Sequence, residues 1–252
     1  MTKSGTSGDY FAKIIYFLYV CISITENFLF MTYNDYELAF SVARLTKYKA
    51  ACNGDNFRAL TLYRHNIKLC QKFYGVLNVF EIILRNAIDR HYRMHFNDND
   101  WISSQLKDGG MLANYPRKAE IQKTILALVR QGKYTHDRLV SSVTFGFWTY
   151  LFTKIPFRIG GQSLLQIFPN KTVGLGQKAI YKELIQIKDF RNKIAHHEAI
   201  CFNAVGQKSM VSAQTHYAMI LKYVDFLGYS KDHIFFGMDV IPETTMTKIQ
   251  NL

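Results

Sequence analysis

The sequence has little that interrupts a helix and no cysteine arrangement that suggests a metal site. It contains only four prolines, and long stretches run without glycine, so helix is favoured over strand. Its four cysteines, Cys21, Cys52, Cys70 and Cys201, form no CxxC pair and no other metal-binding spacing. We interpret them as buried thiols of a protein from a reducing compartment.

Several motifs of nucleotide and hydrolase chemistry are also missing. The sequence contains no P-loop, no GxGxxG, no GxSxG and no CxxC motif. Their absence excludes the nucleoside-triphosphate, Rossmann, hydrolase-elbow and thioredoxin classes. There is no alternating strand pattern, no internal repeat and no low-complexity tract.

Acidic residues are in deficit. Nineteen Asp and Glu stand against 31 Lys and Arg, for a net charge of +12 and a pI of about 9.5. This balance favours a polyanionic partner, namely RNA, DNA or an anionic membrane surface, although a generally solvated basic surface is the alternative. Apolar residues at 48% and aromatic residues at 15% exclude disorder and indicate a sizeable core.

The first thirty residues differ from the rest. An apolar run over 14–22 follows Lys3 and Lys13. It resembles a signal peptide in outline, but it lacks a small-residue cleavage site and is short for a membrane span. We expect 1–30 to be an N-terminal extension, either a docked hydrophobic helix or an artefact of the start site, with a membrane or export segment as the alternative. The main domain is predicted at 31–240, followed by a fraying tail at 241–252.

Apolar residues recur at helical spacing through most of 31–240, and the fold class we predict is all-α, a helical bundle. The first predicted helix is capped by Asn34 or Asp35 and ends near Tyr48, and a long one runs from Asp55 to beyond Ile88. Further helices are predicted from Asn114 to Gly132 and over 162–168, 177–199 and 211–227, and residues 143–152 form an apolar stretch. Residues 97–110 read as a loop. Between Phe73 and Ile88 the long helix is apolar nearly all round, which predicts a central, buried helix.

The central helix carries a few polar residues, among them Glu81, Arg85 and Asn86. Glu81 and Arg85 are four apart in the favourable order, so we expect them to pair with each other. This set is either an ion pair of the core or a support for a site elsewhere.

The most informative stretch is Arg191 to Glu198. Ile180, Leu184, Ile187 and Ile194 define one buried face of a helix, and an arginine occupies position 191, where an apolar residue is expected. Since an uncompensated buried charge is costly, Arg191 must be paired or must face a cleft. Asn192 and His196 are four apart and share a neighbouring face, and His197 and Glu198 follow at the helix end.

An arginine, an amide and two imidazoles within two turns suit the chemistry of a phosphodiester. Metal-independent RNA cleavage needs a base for the 2′-hydroxyl, an acid for the leaving oxygen and a cation on the phosphorane. Histidine titrates near neutrality, and arginine matches phosphate oxygens. The structural alternative is a helix cap in which His196 and His197 interact with the helix dipole and Arg191 pairs with a carboxylate such as Asp189.

Two further patterns are weaker. His91 and His95 have a spacing that can chelate zinc, with His196, His197 and Glu198 as further ligands, but HExxH is absent. We therefore expect no metal and no other cofactor. The segment from Ser141 to Trp148 combines hydroxyls and aromatic rings that suit a bound base, although most such rings belong to a core.

The sequence resembles the Abi-like (abortive infection) family of bacterial proteins, which is placed in the HEPN superfamily of helical domains. The segments that carry the resemblance are Tyr63–Asn66, Phe80–Asp89, Trp101, Ser142–Trp148 and Phe190–Glu198. They spread over 31–200 and leave 1–30 outside.

The resemblance implies a metal-independent endoribonuclease with an Arg-x4-6-His motif, often assembled across a homodimer. It carries over Arg191, Asn192 and His196 as catalytic residues, and His197 satisfies the looser spacing. Glu81, Arg85, Asn86 and Glu198 are expected to support them. The family further implies phage defence through a cytoplasmic toxin that acts on RNA, with an antitoxin or other regulatory partner. Some HEPN domains are noncatalytic, so an RNA- or protein-binding module is the alternative.

Overall fold

The computed structural model describes residues 31–240 and 242–252, and this part of the chain is all-helical, as predicted, without any β-strand. Its α-helices are α1 (Tyr33–Phe40), α2 (Val42–Ala51), α3 (Asn56–Phe96), α4 (Trp101–Gln105), α5 (Lys118–Arg130), α6 (His136–Ser142), α7 (Phe145–Tyr150), α8 (Lys154–Ile159), α9 (Gln177–Ala195), α10 (Val211–Phe226), α11 (Lys231–Ile234) and α12 (Glu243–Gln250). A 3₁₀ turn spans Leu164–Ile167. Over the described ranges no helix is both long and apolar enough to cross a bilayer. The predicted N-terminal hydrophobic helix lies outside the described residues.

The described residues form two compact units, 31–64 and 65–252, with the boundary inside α3. In the first unit the prediction of one helix capped by Asn34 or Asp35 is wrong. Thr32 caps α1 in a reciprocal capping box with Asp35, and Ser41, with φ 74°, separates α1 from α2. Tyr48 of α2 packs edge-on against Tyr63 at 5.1 Å between ring centroids.

In the second unit α3 is central, as predicted. Phe73 contacts Phe190 of α9 at 4.9 Å between ring centroids, and Phe80 contacts Phe145 of α7 and Tyr223 of α10 at 6.1 and 6.3 Å. However, α3 is not buried all round. A stripe at four-residue spacing stays exposed, and it consists of Tyr74, Asn78, Ile82 and Asn86.

Several element boundaries differ from the prediction. The loop expected over 97–110 contains α4, since Trp101 is fully buried and its Nε1 donates to Asp89. Helix α5 begins at Lys118 rather than at Asn114. The tail expected to fray contains α12, where Met246 and Ile249, three residues apart, are buried. Cys52 and Cys201 are buried thiols, as predicted, and Cys70 is half-buried.

Helix α9, which carries the candidate site, is held by its apolar face against α7 and α10. Ile180, Leu184, Ile187, Phe190 and Ile194 are buried, and the ring of Phe190 stacks on His216 at 4.2 Å and 9°. On the α10 side, the hydroxyl of Tyr223 donates to Glu183 at 2.8 Å. These contacts fix the rotation of α9, so that a different face is left for a cleft.

Candidate functional site

Arg191 is both paired and open to solvent. Its Nε lies 3.9 Å from Oε2 of Glu81 on α3, and 40% of its side chain is exposed. The expected carboxylate Asp189 pairs with Lys188 instead, at 3.2 Å. At 3.9 Å the contact with Glu81 is an ion pair without a hydrogen bond, so the guanidinium keeps donors for another oxyanion.

The expected Glu81–Arg85 pair does not form among the described residues. Glu81 has Arg191 as its ion-pair partner, and Nε of Arg85 is buried without a hydrogen-bond partner. Burial is the largest influence on Glu81 and raises its pKa, while the charges of Arg191 and Arg85 oppose this shift. Two guanidinium groups around one carboxylate leave a net positive charge. Asn86 is exposed on the outer stripe of α3 and does not join this cluster.

The histidines lie where α9 ends. Ala195 is the last helical residue, His196 is the C-cap, and His197 has φ 57°. The His197 N–H donates to Ile194 and the Glu198 N–H donates to Lys193, at 3.0 and 2.9 Å, which is the Schellman arrangement. The helix-cap interpretation therefore holds for the backbone of this turn, while the side chains of His196, His197 and Glu198 are exposed.

A buried amide anchors the chain just beyond this turn. Asn66 of α3 is 4% exposed, and its Oδ1 accepts a hydrogen bond of 3.0 Å from the N–H of Ile200. Asn66 is not among the site residues predicted from the sequence. An unusual asparagine on the buried side of a long helix is the signal that was available, because a buried amide needs a partner.

Arg191 and Asn192 line a cleft of about 450 Å³. We call it the α7–α9 cleft, and its cations and tyrosines are Arg117, Lys188, Arg191, Tyr115, Tyr150 and Tyr181. Thr144, Thr149 and Thr153 add hydroxyls around α7. Among the described residues that line this cleft, none carries a carboxylate. Its volume lies within the range of small-molecule sites, roughly 300–1,000 Å³.

The structure brings together only part of the predicted site. Arg191 and Asn192 line the α7–α9 cleft with Phe145 and Gly146, from the segment that the sequence analysis associated with a bound base. His196 and His197 do not line it. Tyr181 and Lys188 were missed, although Tyr181, Lys188 and Asn192 recur at helical spacing and mark one face of α9.

His91 and His95 do face one another, but they do not meet the other predicted ligands. Their rings stack at 5.8 Å and 11°, and Nε2 of His91 lies 2.9 Å from Oγ of Ser163. Burial lowers the pKa of His91, and the neighbouring His95 lowers it further. Within the described ranges no group of three or more His, Cys, Asp and Glu side chains is arranged to hold a metal ion.

A buried polar network, also missed, supports the end of α3. Oδ1 of Asp89 accepts from Nε1 of Trp101 at 2.9 Å and contacts Nε2 of His136 at 2.7 Å, while Arg93 pairs with Oδ2 at 2.8 Å. Nδ1 of His136 contacts Asp100 at 3.1 Å. Burial is the largest influence on His136 and disfavours its charged form, but the bonds to Asp89 and Asp100 outweigh it and raise the pKa of His136.

The chain matches no protein-family model, no curated protein and no solved structure. The resemblance to Abi-like proteins thus depends on the sequence segments alone.

Proposed function

We propose that this protein is a metal-independent endoribonuclease of the abortive-infection type, with an HEPN-like helical bundle. One observation carries the proposal. Arg191 is partly exposed in a cation-rich cleft, and two exposed imidazoles stand at the end of the same helix, five and six residues further along.

In the proposed reaction the 2′-oxygen attacks the adjacent phosphorus and the bond from phosphorus to the 5′-oxygen breaks. One imidazole, that of His196 or His197, accepts the 2′-proton and, once protonated, supplies the proton that the 5′-oxygen takes up. Arg191 binds the phosphate and stabilises its developing charge. The products are a 2′,3′-cyclic phosphate and a 5′-hydroxyl.

The neighbouring residues have supporting roles in this proposal. Glu81 holds the guanidinium of Arg191 from α3, and the nearby charge of Arg85 keeps the cluster positive. Asn192, on the cleft side of α9, orients the phosphate or the RNA. We assign Glu198 and Asn86 no contact with the reacting atoms, because both are exposed away from the cleft.

A homodimer is part of the proposal, in which Arg191 of one copy and the imidazole of the other form one site. The biological role we propose is phage defence by a cytoplasmic toxin, restrained by an antitoxin or another regulatory partner. The net charge of +12 favours RNA as its target.

The test is cleavage of mixed RNA by purified protein in EDTA. We expect cyclic-phosphate ends, and we expect Arg191→Ala or His196→Ala to lower the rate by about 100- to 10,000-fold. His197→Ala is measured beside them to assign the imidazole. Lys182→Ala is the control, because Lys182 is exposed on α9 and does not line the cleft. Equal rates for wild type and Arg191→Ala would reject the proposal.

A noncatalytic RNA-binding module is the second candidate, and one observation favours it. His196 and His197 belong to a Schellman turn and do not line the α7–α9 cleft. This candidate predicts RNA affinity that falls steeply with salt, no cleavage in any buffer, and no change of affinity in His196→Ala.

A further inference from the structure

The α7–α9 cleft continues well beyond Arg191, and cleavage of one phosphodiester uses only a small part of it. Tyr181, Ile185, Lys188 and Asn192 line it from α9. Their spacing of four, three and four places them on one face of the helix. From Tyr181 to Asn192 the helix rises about 16 Å, at 1.5 Å per residue. The cleft is therefore long enough to follow a chain past the arginine.

Aromatic rings supply the walls of this cleft. Tyr150 and Tyr181 are half-buried, and Tyr115 packs against Tyr150 at 4.7 Å between ring centroids. Burial raises the pKa of Tyr115 and of Tyr150, so both phenols are protonated at neutral pH, and the Tyr150 hydroxyl donates to the carbonyl of Asn114 at 3.4 Å. A planar base has a face that stacks on such rings, whereas inorganic phosphate would leave them unused.

The charged side chains that line the cleft in the described part of the chain are all basic, and each is paired with a carboxylate outside the lining. Arg117, Lys188 and Arg191 line it, and their carboxylate partners Glu120, Asp189 and Glu81 are not lining residues among those described. Lys188 and Arg191 are three apart on α9, which makes them neighbours on its surface. Two adjacent cations suit two successive phosphates of one strand.

We propose that the α7–α9 cleft binds an unstacked nucleotide of single-stranded RNA next to the phosphate held by Arg191. Tyr181 stacks on the base, and Lys188 neutralises the neighbouring phosphate. This inference rests on the proposed function, and it adds the substrate class, single-stranded RNA, together with two binding residues. Duplex RNA is disfavoured because its stacked bases hide their faces from aromatic side chains.

The experiment measures binding rather than cleavage. The full chain is titrated into a fluorescent 2′-O-methyl RNA of about twelve nucleotides, a length that covers a typical single-strand site. The probe lacks the free 2′-hydroxyl that the reaction needs, so it stays intact. We expect Tyr181→Leu to weaken its binding by about tenfold or more, the effect of losing one stacked base. A duplex of the same sequence should bind weakly, and the substitution should leave that binding unchanged.

Lys188→Gln tests the charge independently, because it removes the charge of a half-buried lysine and keeps a polar side chain of similar reach. We expect the slope of log affinity against log salt to become shallower by about 0.7, the value for one phosphate contact on a single strand. The matched controls are Lys182→Gln, exposed on α9 outside the cleft, and Tyr74→Leu, on the outer stripe of α3. Both should bind like wild type.

Unchanged affinity in Tyr181→Leu together with an unchanged salt slope in Lys188→Gln would overturn the inference. The two proposals fail separately. Binding that depends on Tyr181 and Lys188, without cleavage of unmodified RNA, rejects the nuclease and keeps the nucleotide site. If the protein cleaves RNA and neither substitution changes the KM, the nuclease proposal stands and the nucleotide site is rejected.

Discussion

At the scale of single residues, Arg191 shows how a charge is held ready on a helix that packs into a core. Glu81 lies 3.9 Å from it, close enough to favour one position of the guanidinium and too far for a hydrogen bond. A closer, bidentate pair would occupy the donors that a phosphate needs.

Glu81→Gln should therefore separate positioning from folding. We expect the cleavage rate to fall by about ten- to a hundredfold, because Arg191 loses the charge that orients it. The folded protein should be as stable as wild type or slightly more stable. Its raised pKa means that ionised Glu81 costs stability, increasingly as pH rises above the ordinary value of 4.5. Urea unfolding from pH 4 to 7 measures this, and a lower stability of the variant at pH 7 would contradict it.

Ionised His136 stabilises the folded protein, whereas ionised Glu81 destabilises it. The pH dependence of stability should therefore show the contribution of His136. Its pKa in the folded protein is raised above 6.5, so its contribution is complete below pH 6.5 and is lost as pH rises through the folded value. We expect His136→Gln to be less stable than wild type by about 2 kcal/mol at pH 6, since a bond to a charged group is lost. The gap between the two proteins should narrow toward pH 8.5, as measured by urea unfolding. A gap that stays constant over this range would show that His136 acts without its charge.

At the scale of elements, the turn that ends α9 combines a structural task with the proposed chemistry. His197 is the residue with positive φ in the Schellman turn, a position that favours glycine. Asn66 then ties the next segment to α3 through the N–H of Ile200. The exposed histidines thus stand between two backbone anchors.

His197→Gly should raise the free energy of unfolding by up to about 1 kcal/mol, because glycine has no Cβ to strain at φ 57°. His196→Gly is the matched control, since its φ of −88° needs no glycine and the substitution should only destabilise. Thermal unfolding compares the two. Cleavage by His197→Gly at the wild-type rate would assign the chemistry to His196, and a lower melting temperature would contradict the strain at this position.

Asn66→Ala should cost about 1–3 kcal/mol, because the N–H of Ile200 is left buried without an acceptor. Hydrogen exchange of the Ile200 N–H should be faster in Asn66→Ala than in wild type. Asn86→Ala changes an exposed asparagine on the same helix and should stay within about 0.5 kcal/mol of wild type. Equal effects of the two substitutions would mean that the buried bond adds nothing.

At the scale of the whole molecule, the proposed homodimer can be tested by mixing two inactive variants. If Arg191 and His196 of different copies form each site, heterodimers of Arg191→Ala and His196→Ala contain one intact site out of two. Random mixing should then restore about a quarter of the wild-type cleavage rate, because half of the dimers are mixed. Each variant alone is the control. No recovery after verified subunit exchange would place each site within one copy.

Much of the fold could be read from the sequence because helical periodicity is a local property. The buried face of α9 and the central position of α3 follow from apolar spacing and were predicted. The helix boundaries were harder to predict. Ser41 interrupts a segment with helical periodicity, and Trp101 begins a helix within a polar segment. There the deciding contact, such as Trp101 with Asp89, comes from a residue twelve positions away.

Composition and spacing alone indicate the helical class, the basic charge and the unusual arginine on an otherwise apolar face, because both are properties of the chain before it folds. Two features could be found only in the folded chain: Glu81 pairs with Arg191 instead of Arg85, and Arg117 and Tyr115 join Lys188 around one cleft. The physical reason is that pairing and cleft formation depend on how helices rotate and pack. That arrangement is set by the buried faces of several elements together.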